Sequence, residues 1–358
     1  MDSIQWANNW YYFVEAVVLI AIIRIWIFKP DEKGQLPAFS QILLLLSFIL
    51  IPIYFSLEPI IENSDKWAYE LGFRFVAQGI FDGIPFADSG YFYYVYLLTK
   101  VISNTTIFFW LTACIYLLGY VLFVWKKVNA GNRFVLLLAF IVALGFYNYG
   151  VNTIRAGVAL SIFMIAISRK QFWKSTIPML LLAVLVHKTA LLPTACFLVS
   201  KIYKPKHHFL YIWIICLTIS ALAGSKISDL LGSFFDFADN RVNTYLGDNN
   251  FAYKTGFRVD FIIYSLAPIL LAFYFKRKGF DDKFYNQLLS SYILCNAFWL
   301  LLIRIPFTDR LAALSWVLIP YLALYPLLSG KLFEKQNYWL AAVLLVLSGI
   351  SFYLNILR

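Results

Sequence analysis

Apolar runs close to membrane-crossing length recur from one end of this chain to the other, separated by short stretches that carry most of its charge. A helix takes about 20 apolar residues to cross the ~30 Å hydrocarbon layer of a bilayer. Inside that layer each backbone amide and carbonyl must be satisfied within the protein, so such runs are expected to be helical. Candidate spans fall at 10–28, 38–57, 105–125, 133–150, 154–168, 173–187, 188–200, 209–224, 257–275, 284–303, 311–329 and 338–357. The expected fold is an all-α, polytopic transmembrane bundle of about 12 spans, a single transmembrane domain over 1–358 with no separate soluble domain. With 61% hydrophobic and 14% charged residues and a mean hydropathy of +0.73, the composition lies far from that of a soluble chain. The opening Met1-Asp2-Ser3-Ile4-Gln5-Trp6 lacks a basic n-region and a small-residue cleavage site, so the first helix is expected to be retained.

The net charge of +11 is read from its distribution. Lys29/Lys33, Lys126/Lys127/Arg133, Arg169/Lys170/Lys174, Lys201/Lys204/Lys206, Lys276/Arg277/Lys278/Lys283 and Lys331/Lys335 occupy every second loop. Cytoplasmic loops carry such an excess, which places both termini outside and makes the charge a topology signal, with no nucleic-acid partner implied. Arginine is sorted differently from lysine: Arg74, Arg155, Arg241, Arg258, Arg304, Arg310 and Arg358 fall outside. Topology needs only positive charge. A guanidinium also grips phosphate or carboxylate in a two-pronged fork, which an ammonium cannot do. Cys114, Cys196, Cys216 and Cys295 lie within apolar runs and are expected to pack as small hydrophobes, without disulfides or a metal pair.

Two outer segments exceed turn length, 58–104 and 225–256. In the first, Lys66, Glu70, Arg74 and Gln78 recur every four residues opposite Trp67, Leu71, Phe75 and Val76, the pattern of an amphipathic helix lying along the interface. Residues 90–103 are apolar but short, and are read as a re-entrant or tilted segment. The stretch 154–200 must cross three times with 47 residues, whereas three ordinary spans need roughly 60. Some of its helices should therefore stop short. Breaks are expected near Asn152–Arg155 and near His187–Thr189, with both polar clusters facing one recessed outer vestibule.

These clusters carry the candidate chemistry. Arg155 stands at an outer helix start, where it is either a snorkelling interfacial arginine or, beside free backbone amides, an anion ligand. His187, after Leu185-Val186 and before Lys188-Thr189-Ala190, is either a helix-bridging side chain or a general base for a hydroxyl. No second histidine or carboxylate stands at metal-ligand spacing, so no metal site is expected. Asp65 is a helix N-cap or a substitute base. Asp309-Arg310, with Arg304 before it, forms either a local ion pair or a pyrophosphate grip. Arg241 with Tyr245, and Arg258-Val259-Asp260, extend the same polar rim, and Asn152 and Tyr69 are supporting residues.

At these residues the chain resembles the EpsG-like branch of Wzy polysaccharide polymerases, bacterial membrane proteins that join lipid-linked oligosaccharide repeats. The similar features are Asp65-x-x-x-Tyr69, Asp88-Ser89-Gly90-Tyr91 ahead of an apolar segment, Arg155-Ala156-Gly157-Val158-Ala159, Leu185-Val186-His187-Lys188-Thr189-Ala190, and Arg310 at the start of a late span. Ala156 stands where the family often has Gln, Asn63-Ser64 where it has Gly-Thr, and Asp88 where glutamate is more usual. The resemblance implies glycosyl transfer at the outer leaflet of the bacterial plasma membrane, facing the periplasm or exterior. The substrates would be undecaprenyl-pyrophosphate-linked glycans, with no cofactor and with a chain-length regulator protein as a compatible partner. Carried over, the roles would be His187 as base with Asp65 as substitute, and Arg155 and Arg310, supported by Arg241 and Arg258, on the pyrophosphate. Two rival readings fit a chain of this kind: a flippase for the lipid-linked repeat, and a ligase moving finished glycan to another lipid. Matching halves, frequent in transporters, are not visible.

Overall fold

Wherever the structure describes the apolar runs, they are helices. The structure is a computed structural model that describes residues 2–27, 40–62, 64–84, 88–203, 208–235, 256–305 and 307–357, and among these there is no strand. In chain order the helices are α1 (Ser3–Ile27), α2 (Ser40–Ser56), α3 (Asp65–Ala77), α4 (Ser89–Thr99), α5 (Thr105–Lys127), α6 (Arg133–Val142), α7 (Phe146–Val151), α8 (Ile154–Ser168), α9 (Ile177–Val186) and α10 (Leu191–Ile202). They continue with α11 (His208–Phe235), α12 (Val259–Arg277), α13 (Lys283–Leu300), α14 (Thr308–Trp316), α15 (Ile319–Ser329) and α16 (Gln336–Phe352).

Among the described residues, five stretches are long and apolar enough to cross a membrane: Ser3–Ile27, Thr105–Lys127, Val259–Arg277, Thr308–Ser329 and Gln336–Leu357. The chain is thus an all-α, multi-pass membrane protein, but the expected count of about twelve spans is not established, because backbone breaks cut several runs into helices of 10–17 residues. Residues 133–150 are split at Gly145, whose φ of 92° suits glycine alone. The crowded stretch 154–200 is three short helices, interrupted at Asn152–Thr153 before it and at His187–Ala190 within it. The segment 225–256, expected as an outer loop, begins as helix, since α11 runs on to Phe235 past a kink at Ala223; residues 236–255, with Arg241 and Tyr245, lie outside the described residues.

The chain forms two compact units, one of residues 1–190 with 324–358, the other of residues 191–323. In the first, α5 packs on α2 and α8, α8 packs on α9, and α1 packs on α16. The α5–α8 crossing is made close by Gly119, whose amide donates to Ser161 Oγ at 3.1 Å and where a Cβ would overlap the Ser161 backbone. Small residues serve this purpose between membrane helices, where no hydrophobic driving force separates helix from lipid. Trp10, Phe55, Phe146 and Tyr147 stack into an aromatic knot that joins α1, α2 and α7. In the second unit, Asn296 of α13 sits at the centre of a satisfied polar network. It accepts from Trp213 Nε1 at 2.8 Å and donates to Ser265 Oγ and Ser315 Oγ at 3.1 and 3.0 Å.

The amphipathic helix of 58–104 is present as α3, but the buried face is not the expected one. Lys66, Tyr69, Phe73 and Val76 are turned inward, whereas Trp67, Leu71 and Phe75 are only partly covered. Lys66 is the reason. Its ammonium, 2% exposed, donates to Phe55 O and Glu58 O at 2.9 Å each and lies 3.5 Å from the Glu58 carboxylate, which also accepts from Tyr147 Oη at 2.9 Å. Burial pushes Lys66 down to about 8 against the pull of Glu58, and raises Glu58 against the pull of Lys66 and Tyr147. Desolvation outweighs pairing for both partners, so the pair fixes where α3 docks more than it adds stability.

One close approach and one buried ion pair are testable. A Cβ on Gly90 would stand 2.7 Å from the carbonyl carbon and oxygen of Leu185, so Gly90→Ala should destabilise the protein by about 1–3 kcal/mol through overpacking. Gly349→Ala, with nothing within 4 Å, should be neutral or stabilising in the same thermal-melting measurement. Lys66→Met strands a buried carboxylate and should cost about 3–5 kcal/mol. The double variant Lys66→Met/Glu58→Gln should recover more than half of that loss, and equal melting temperatures for the two would contradict the buried-pair reading.

Candidate functional site

Asp88 precedes α4 as its N-cap, the position where an aspartate normally accepts from its own helix's amides. Here the side chain makes no capping bond. Its Oδ2 instead accepts from Arg155 Nη1 at 2.7 Å and contacts His187 Nδ1 at 2.9 Å, while Oδ1 accepts from the Lys188 amide at 3.2 Å. Asp88, Arg155 and His187 are 4%, 7% and 7% exposed. All belong to the first unit.

Each member is delivered by a local irregularity. Arg155 is the second residue of α8, which starts afresh after the turn at Asn152–Thr153. Gly157 permits that restart, since a Cβ there would overlap the Tyr149 carbonyl. His187 ends α9: its amide still donates to Ala183 O at 3.0 Å, but its extended backbone (φ −155°, ψ 123°) leaves the helix axis before the 3-10 turn Lys188–Ala190. Gly90 lets α4 lie directly on the Leu185–Val186 backbone, one residue short of the imidazole.

Tyr69, on the buried face of α3, accepts from Arg155 Nε at 3.3 Å, and its ring lies 5.8 Å from the guanidinium carbon. Asn152 is half-buried and donates to Asn148 Oδ1 at 3.0 Å, which shapes the break itself. Asp65 is not the N-cap of α3. That place belongs to Ser64, whose Oγ accepts from the Trp67 amide at 3.1 Å, and Asp65 adds a carboxylate to the helix's first turn. The second unit holds Arg258, whose guanidinium meets Asp260 with two bonds of 3.0 and 2.7 Å, and Arg304, stacked over Phe257 with Gly224 making room for it. Asp309 and Arg310 open α14 after a turn held by Trp299 Nε1 on Thr308, and Arg310 lies over the Phe307 ring.

The carboxylate stands in one of the motifs of the family resemblance, Asp88-Ser89-Gly90-Tyr91, but the sequence pattern gives it no site role, because the segment has the look of an ordinary cap. Burial alone would raise the Asp88 carboxyl, but the His187 hydrogen bond and charge, the charge of Arg155 and the Lys188 amide together hold it below the usual carboxylate range. Toward an ionised Asp88, Nδ1 of a neutral His187 is the donor, which leaves Nε2 as the nitrogen with the lone pair. The arrangement holds the imidazole in one tautomer, next to a cation at a helix start. Among the described residues, no group of three or more His, Cys, Asp or Glu side chains could hold a metal ion, and all four cysteines are free thiols.

A multi-pass helical membrane protein with a buried Asp-Arg-His cluster gathered from three helix ends is the class that fold and site define. The model of the EpsG family matches residues 42–358, and the chain belongs to that family, the Wzy-like polysaccharide polymerases. No curated protein and no solved structure matches the chain.

Acid should report on the cluster. A carboxylate whose pKa is depressed by folding stabilises the protein fully above its unfolded value, ~3.9, and loses that contribution as pH falls through the lower folded value. Thermal stability in detergent should therefore contain a component that is flat above about pH 5 and declines only in strong acid. Asp88→Asn should lack this component and melt lower at pH 7, by about 3–5 kcal/mol for a buried pair that has lost one partner. An identical acid profile in the variant would show that Asp88 is not the titrating group.

Proposed function

We propose that the protein polymerises undecaprenyl-pyrophosphate-linked oligosaccharide repeats at the outer face of the bacterial plasma membrane. The observation that carries this reading is the sharing of Asp88 Oδ2 between the Arg155 guanidinium and His187 Nδ1. Family membership supplies the reaction class; the cluster supplies residues suited to its two demands.

The acceptor is a hydroxyl at the non-reducing end of one lipid-linked repeat. His187 Nε2 takes its proton while the hydroxyl oxygen attacks the anomeric carbon of the donor glycan. A new carbon–oxygen bond forms there as the bond to pyrophosphate breaks, and undecaprenyl pyrophosphate leaves with the bonding pair. Asp88 orients the imidazole and balances the positive charge it gains. Arg155 faces the charge that grows on the leaving group, aided by the first-turn amides of α8, which Thr153 does not cap because its hydroxyl donates to Asn148 O. Donors fixed before the reaction act most strongly in a site screened from water. Tyr69 limits the swing of the guanidinium. Arg310 and Arg304 remain pyrophosphate ligands proposed from the sequence pattern alone, and Arg258 is the weaker choice because Asp260 already neutralises it. Asp65, partly exposed, is not needed as base while His187 holds that place.

In membranes supplied with a defined synthetic lipid-linked repeat, Arg155→Ala and His187→Ala should insert normally yet leave single-repeat glycolipid. Loss of the positioned base should slow the reaction by about 10²–10⁴-fold. Arg155→Lys should remain well below the parent, because charge is kept but the fork is not. A full polysaccharide ladder from both alanine variants would remove the proposal. Polymerisation by purified protein in detergent, where there is no second compartment, distinguishes it from a flippase.

A further inference from the structure

The second unit contains a cavity of about 820 Å³, bounded by the end of α10, the start of α11, the end of α12 and the start of α13. We propose that this cavity holds the headgroup of an acidic phospholipid, with phosphatidylglycerol the chemistry that fits its lining. The inference does not draw on the polymerase reading.

Three features converge on that occupant. Lys201, Lys276 and Lys283 line the cavity against one carboxylate, Asp281, so its wall is net cationic. Asp281 already accepts from Asn286 Nδ2 at 2.6 Å. Two further polar atoms, Gln287 Nε2 and Asn286 Oδ1, are buried and have no hydrogen-bond partner among the described residues, although both residues line the cavity. Buried amide atoms are rarely left unpaired. Both atoms are sealed from water as they stand, so a headgroup meets them when the two amides turn toward the cavity: Gln287 then offers a donor to a phosphate oxygen and Asn286 an acceptor to a hydroxyl, and a phosphoglycerol head presents both. Apart from Ser200 and Ser290 the remaining wall is apolar, with Phe209, Phe273, Phe280 and Phe284 beside the lysines, as an amphiphile's glycerol backbone and upper acyl chains require.

Location agrees with chemistry. The cavity lies where two lysine-bearing connections meet helix ends, and basic pockets between membrane helices on the lysine-rich side are where acidic headgroups bind. A soluble anion would use the lysines but not the phenylalanines. A zwitterionic lipid would bring an ammonium to a wall that is already positive.

The test uses the purified full-length protein and native mass spectrometry after exchange into detergent with phosphatidylglycerol or phosphatidylcholine. One phosphatidylglycerol should be retained per chain, with at least ten-fold less phosphatidylcholine. Gln287→Glu, nearly isosteric, sets a carboxylate against the phosphate and should lower retention at least ten-fold, together with a lower melting temperature because the new charge is buried. Lys201→Gln/Lys276→Gln/Lys283→Gln should lower retention as much while the melting temperature in phosphatidylcholine stays unchanged. Retention equal to the parent in Gln287→Glu, or equal binding of the two lipids, would overturn the proposal. A melting shift with inorganic phosphate alone, matching that with phosphatidylglycerol, would assign the cavity to a soluble anion and overturn it equally.

Discussion

One carboxylate oxygen organises the first unit. Asp88 Oδ2 is the acceptor for a guanidinium at the start of α8 and for an imidazole at the end of α9. An arginine buried to 7% exposure has no stable place in such an interior without a counter-charge. The cost of assembling the three groups falls on the backbone. α8 must restart, α9 must stop and α4 must approach closely enough for a glycine to be needed at position 90. These irregularities in an otherwise helical protein all lie within a few residues of the cluster, as strain and broken helices do at functional sites.

The Lys66–Glu58 pair is a second buried ion pair with a different consequence. It joins the residues after α2 to α3 and, through Tyr147, to α7. One turn along α3 from Lys66 stands Tyr69, the partner of Arg155 Nε. The position of α3 is therefore set by an interaction that is costly to bury and hence intolerant of displacement. An apolar contact of the same area would tolerate sliding by fractions of an ångström. Hydrogen-bonded charge does not.

Much of this architecture is legible in the amino-acid sequence. Run length and charge placement give an all-α membrane protein, and the shortage of residues across 154–200 points to interrupted helices near Asn152 and His187, because length is a hard constraint on crossing. The remainder is hidden for physical reasons. Asp88 is masked by local grammar, since an aspartate ahead of Ser-Gly and an apolar run satisfies the capping rule and offers no sign that its side chain is spent elsewhere. Periodicity misassigns the inner face of α3 because it treats lysine as solvent-seeking, and only a partner contributed from outside the helix reverses that. The described helices do not fix the expected count of about twelve spans, because apolar composition does not report where a helix axis ends.

The double use of Asp88 Oδ2 makes its two neighbours rivals as well as partners. Neither can move its bond to that oxygen without changing the geometry the other is offered. Two positions some thirty residues apart in the chain thus answer to a single atom, and a change at either is felt at the other.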